Sequence, residues 1–118
     1  MNKIPSSIIY GVAIGDALGF PVQFEPRSER KKRPVVDMGK YMDERGQICS
    51  WGNEVTGMWS DDTSLTLCLA ESLLQGFDLK DQAEKFIAWL DCGYLSARDH
   101  AFDVGRQTTE SLARVRSI

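Results

Sequence analysis

The side chains best suited to chemistry stand together at residues 59–63, Trp-Ser-Asp-Asp-Thr. Asp61 and Asp62 are adjacent carboxylates, and the hydroxyls of Ser60 and Thr63 flank them. Hard divalent cations such as Mg2+ take oxygen ligands, commonly one or two carboxylates with water. Neighbouring side chains on a helix diverge by about 100°, so one such ligand set can serve two adjacent ions. The plainer meaning is capping, because serine followed by two aspartates is also how a well-formed helix begins. Two more aspartates sit in motifs of their own. Asp16 lies in Gly15-Asp16-Ala17-Leu18-Gly19, followed by Phe20-Pro21-Val22-Gln23-Phe24, and Asp103 lies in Phe102-Asp103-Val104-Gly105. Taken singly, the first is a turn residue and the second a helix start.

The elements that must position these residues are mostly helical. A first helix is expected over Ile4–Leu18, with Pro5 in its first turn and Ile8, Ile9, Val12, Ala13 and Ala17 forming its buried stripe. Gly11 and Gly15 weaken it by roughly 1 kcal/mol each relative to alanine, which points to close packing. Gly19 to Gly57 is rich in glycine and proline and predicts a long loop. Five of the seven residues from Arg27 to Arg33 are basic; that run is a solvated face or a contact for a phosphate-bearing ligand.

The clearest helix starts at Ser60 and stops at Gly76. Leu65, Cys68, Leu69, Ser72 and Leu73 make one row, and Leu67, Ala70 and Leu74 a second, so this helix is expected between neighbours. Asp78 caps a third helix to Leu90 with Leu79, Ala83, Phe86 and Leu90 inward and Trp89 beside them. A fourth runs from Asp103 to Arg116 with Val104, Thr108, Leu112 and Val115 on one side. No strand-like alternation stands out, and the architecture reads as all-α.

Composition narrows the function further. A net charge of -3 offers no general attraction to nucleic acid or anionic membranes. Cys49, Cys68 and Cys92 are widely spaced and odd in number, which suggests neither a zinc ribbon nor a disulfide framework. His100 is the only histidine, which excludes zinc hydrolases that use several within this chain. There is no run of about 18 apolar residues and no signal-peptide pattern at the N-terminus. A reducing, cytoplasmic setting is expected.

Three segments taken in order carry a resemblance: G-D-A-L-G-x-P-V-x-F, then G-x-W-S-D-D-T-S-L-T-L-x-L-A-E-S-L, then G-Y and F-D-x-G-x-x-T-T. Their order and spacing resemble the ADP-ribosylglycohydrolases, including the dinitrogenase reductase-activating glycohydrolases, from Gly11 to Thr109. The resemblance implies an all-α orthogonal helical bundle, with residues 1–118 as the N-terminal part of a single domain. It implies two Mg2+ ions, or Mn2+, and hydrolysis of the bond between ADP-ribose and an acceptor such as arginine or serine on an ADP-ribosylated protein. The family's T-D-D ligands fall on Ser60, Asp61 and Asp62, with serine keeping the hydroxyl oxygen. Asp16 falls on the aspartate of the first motif, near the substrate.

Two departures accompany it. Gln23 stands where the family commonly has a glutamate, and glutamine cannot act as a base near neutral pH. Glu25 is expected to substitute, because residues i and i+2 of an extended segment face the same way. The family's C-terminal D-x-D-T ligands are missing, so the cation site of this chain alone is expected to be weak. Three readings stay open: an incomplete hydrolase, a degenerate module that binds ADP-ribose or a nucleotide without cleaving it, and a truncated chain that self-associates through exposed apolar helix faces.

Overall fold

The computed structural model describes residues 3–118. The chain forms two compact units, Met1–Trp59 and Ser60–Ile118.

In the first unit, α1 spans Lys3–Gly19. Ile9, Val12, Ala13 and Asp16 share its less exposed face, and Ala17 is buried. Ile8, expected in that stripe, is exposed; the face runs one residue further round the helix, in step with Ile9. A 3-10 turn, Phe20–Val22, follows directly.

The expected long loop contains structure. Helix α2 spans Arg27–Lys32, with Glu29 in its first turn and Arg30, Lys31 and Lys32 in its last. That order suits the helix dipole, which favours acids at the start and bases at the end. Three short strands then form an antiparallel meander, β1 (Val35–Asp37), β2 (Lys40–Met42) and β3 (Ile48–Ser50), in the order β1-β2-β3. This corrects the expectation of a chain without strands: each strand is three residues long, too short for a two-residue alternation to register. The turns carried the signal instead. Gly39 has φ +69°, and a Cβ there would collide with Thr56. Asp43 closes the second turn, its Oδ1 accepting from the Arg45 and Gln47 amides at 2.9 and 2.8 Å.

The basic run lies along this small sheet. The Tyr41 and Trp51 rings meet at 4.6 Å. The Arg30 guanidinium sits 5.5 Å over Trp51 and that of Arg33 5.8 Å over Tyr41. Arginine planes stacked on aromatic faces explain two of the five positive charges by packing.

The second unit is a helical trio: α3 (Asp61–Leu73), α4 (Leu79–Cys92) and α5 (Arg106–Arg116). Its core centres on Cys68, Trp89 and Leu112, with Leu65, Phe86, Leu90 and Val104 packed round them. The buried line of α3 is Ser64, Cys68 and Ser72, at helical spacing, while Leu69, Leu73 and Leu74 are exposed. On α4 the roles also shift: Trp89 is 1% exposed, whereas Leu79 points to solvent. Large aromatic area outweighs a terminal leucine in deciding which face turns inward. Asp78 caps α4 as expected, its side chain accepting from the Lys80 and Asp81 amides at 2.9 and 3.2 Å. Gly93 ends α4 in the left-handed conformation. A Cβ there would lie 2.6–2.7 Å from the backbone of Asp99 and His100. α5 begins at Arg106, not at Asp103, because Asp103 has φ +58° and so stands outside the helix. Among the described residues no helix is long and apolar enough to cross a membrane.

Candidate active site

Each expected site residue has a place in one of the two units. Asp16 lies in the last turn of α1, which contains no basic residue. An acid there opposes the helix dipole, so helix stability does not account for its identity. Gln23 follows the 3-10 turn, its backbone amide donating to the Phe20 carbonyl at 3.4 Å, and its side chain is exposed. Phe24 then takes φ +67°, and the Glu25 amide donates to the Val22 carbonyl at 3.2 Å. The segment is a turn, not an extended strand, and the geometric reason for letting Glu25 stand in for Gln23 therefore fails. Glu25 has a different engagement: its Oε2 lies 2.6 Å from Arg30 Nη2 and 3.9 Å from Arg33 Nη2. Both arginines are also the ones stacked on the sheet, so Glu25 belongs to that ion-pair cluster.

Ser60, Asp61 and Asp62 come together at the start of α3. Capping by Ser60 would need its hydroxyl to accept from a first-turn amide. It makes no such bond; its Oγ donates to Asp61 Oδ1 at 3.2 Å. Ser60 is 5% exposed, Asp61 half-buried and Asp62 exposed. The backbone carbonyl of Asp62 accepts from Thr66 Oγ1 at 2.7 Å, which tightens the first turn.

The electrostatics set Asp61 apart. Burial holds its pKa above the ordinary aspartate value, the charge of Asp62 pushes the same way, and Asp103 adds to both. The Ser60 hydroxyl opposes them by stabilising the carboxylate. The charges acting on Asp61 are thus both negative. A half-buried carboxylate whose pKa is raised by two like charges is in a situation that a cation relieves.

Asp103 is the residue that reasoning from the sequence set aside. It precedes α5 in a left-handed conformation that aspartate tolerates better than most residues. The Phe-Asp-x-Gly string was its legible signal. Among the described residues no three histidine, cysteine, aspartate or glutamate side chains converge as a ready cation cage. Ser60, Asp61 and Asp62 gather hard oxygens at the start of α3, of the kind that Mg2+ or Mn2+ takes.

The family profile of the ADP-ribosylglycohydrolases matches residues 7–117. The ADP-ribosylarginine hydrolase Tri1 of Serratia proteamaculans is 33% identical over 114 residues, 95% of this chain and 28% of the relative. The ADP-ribosylarginine hydrolase Tri1 of Pseudomonas putida is 33% identical over 106 residues, 88% of this chain and 26% of the relative. A protein of Archaeoglobus fulgidus is 38% identical over 84 residues, 69% of this chain and 25% of the relative. The chain spans about a quarter of the length of these curated relatives.

Proposed function

The chain belongs to the ADP-ribosylglycohydrolase family, and from that premise we propose that it serves the hydrolysis of the glycosidic bond between ADP-ribose and an acceptor on a modified protein. Arginine is the first acceptor to consider, since it is the one named for two relatives. The observation that carries this reading is the start of α3. Its serine hydroxyl is turned to a carboxylate instead of a backbone amide, and that carboxylate is crowded by two like charges.

In this reading Ser60, Asp61 and Asp62 would hold Mg2+ or Mn2+. When bound, such ions supply Lewis acidity toward ribose hydroxyls and toward an attacking water. The chain's own residues supply the remainder. The Ser60 hydroxyl fixes the orientation of the Asp61 carboxylate by donating to it. The negative field of Asp61, Asp62 and Asp103 favours the positive charge that develops on an oxocarbenium-like sugar as its bond to the acceptor breaks. Asp16 is assigned to substrate contact, as the aspartate of the Gly-Asp-Ala-Leu-Gly motif at the end of α1. Gln23 offers hydrogen bonds without proton transfer, and Glu25 acts through its arginine partners.

The test is release of ADP-ribose from an ADP-ribosylated arginine peptide by the polypeptide of the whole open reading frame. Asp61→Asn is expected to remove Mg2+-dependent release, and unchanged turnover would overturn the assignment. A second reading, binding of ADP-ribose without cleavage, is favoured by Gln23 and by the pairing of Glu25 with Arg30. Calorimetry that finds ADP-ribose binding in the absence of any turnover would select it.

A further inference from the structure

We propose that Ser64 is a positioning residue for the acidic site: by holding the Leu95 carbonyl, its hydroxyl fixes the 95–103 loop that carries Asp103 beside the start of α3. The inference rests on the cation reading of Ser60, Asp61 and Asp62 and adds to it the device that keeps a third carboxylate in place.

Ser64 is 1% exposed and lies one helical turn beyond Asp61. Its Oγ donates to the Leu95 carbonyl at 3.0 Å, across 31 residues of sequence. Leu95 and Asp103, near the two ends of the loop, both have φ +58°. Side chains other than glycine keep that conformation only where their surroundings hold them in it. Between these two points the loop is braced internally. Ser96 Oγ donates to the His100 carbonyl at 2.8 Å and accepts from the Arg98 amide at 3.1 Å. The Arg98 guanidinium lies 4.5 Å over the Phe102 ring, and Gly93 packs on the backbone of Asp99 and His100.

A braced loop moves as a piece, so a tether at Leu95 sets where Asp103 stands. Ala101 and Val104, on either side of Asp103, pack against the core that holds Cys68 of α3, which keeps the far end of the piece against that helix. Tyr94, the residue before Leu95, is tied to the far end of α3 by its hydroxyl, which donates to Glu71. That contact is exposed, whereas the Ser64 bond is shielded from water, where a hydrogen bond holds its geometry better.

Two measurements on the chain test this. The first is amide hydrogen exchange without metal. Ser64→Ala is expected to speed exchange about tenfold across residues 95–103 while the amides of α4 keep their wild-type rates. Unchanged exchange in the loop overturns the proposal, whatever becomes of the cation reading. The second is Mn2+ titration followed by electron paramagnetic resonance, arranged as a double-mutant cycle. Ser64→Ala is expected to weaken Mn2+ about tenfold when Asp103 is present, and by no more than about twofold in an Asp103→Asn background. Equal losses in both backgrounds overturn the proposal, because Ser64 would then act on α3 alone. Absence of Mn2+ binding by the wild-type polypeptide of the whole reading frame sinks the cation reading, and the exchange result then decides the loop. Should Ser64→Ala fail to fold, Ser64→Cys keeps the volume and a weak donor; an intermediate rise in loop exchange is expected, and wild-type exchange counts against the proposal.

Discussion

The starts of α3 and α4 use acidic residues in opposite ways. At α4, Asp78 stands outside the helix and spends its carboxylate on two orphan amides, Lys80 and Asp81. At α3, the residue in the same position is Ser60, whose side chain makes no capping bond, and the acids stand inside the first turn, where Asp62 and Asp103 both push up the pKa of Asp61. One arrangement stabilises the fold, and the other strains it locally. Acidic residues at a helix start thus carry two meanings, and the direction of the cap hydroxyl separates them better than composition does.

The largest effect expected from this contrast is on turnover. In the polypeptide of the whole reading frame, Asp61→Asn should lower ADP-ribose release on the order of a hundredfold or more, while Asp78→Asn should leave it near wild type. Equal losses would erase the distinction. Stability should separate the two sites in the reverse sense. Asp78→Ala is expected to cost about 1 kcal/mol, the usual value of an N-cap, and Ser60→Ala less than half of that, as read from urea midpoints. A full capping loss at Ser60 would restore the plain structural meaning of Ser-Asp-Asp.

The pH dependence sharpens the same point. Because burial in the folded state raises the pKa of Asp61 above its ordinary value, the folded chain holds that proton more tightly than the unfolded one. Asp61 therefore costs stability at neutral pH, and the cost disappears as pH falls through the raised value and the carboxyl becomes neutral. Asp61→Asn should raise the urea midpoint at pH 7 and change it little near pH 3. The smallest effect is expected at the other end of α3. There the Tyr94 hydroxyl, and after it Lys85, lower the pKa of Glu71, so its contribution is present above about pH 4.5 and is lost as pH falls below that. Tyr94→Phe should shift the acid limb of the unfolding curve slightly toward neutral pH.

How much of this was legible beforehand differed by element. Long helices with caps announce themselves, and α3, α4 and α5 were readable from Ser60, Asp78 and the Thr108–Leu112–Val115 line. Which face turned inward was less so. Ser64, which stood in neither expected row, is buried beside Cys68 and Ser72, while Leu69, Leu73 and Leu74 are exposed, because a helix that packs close to a neighbour selects small side chains as readily as apolar ones. The β1–β3 meander escaped because three-residue strands have no period to detect. At the site, Ser60, Asp61 and Asp62 were found from residue types alone. The Gln23–Glu25 geometry was misread because the left-handed Phe24 between them breaks the two-residue alternation. Asp103 was left out because its approach to Asp61 depends on a fold-back of the chain after Gly93 that no local pattern encodes.

Cys68 sits at the centre of the second unit with no exposed surface, its thiol contacting the Lys85 carbonyl at 3.6 Å. Burial, with Glu71 behind it, pushes the thiol pKa up to about 11, so almost none of it is thiolate at neutral pH. Alkylating reagents act on thiolate and must wait for α3 and α4 to part. The labelling rate of Cys68 is therefore a built-in clock for the opening of that helix pair, with the exposed Cys92 as its reference.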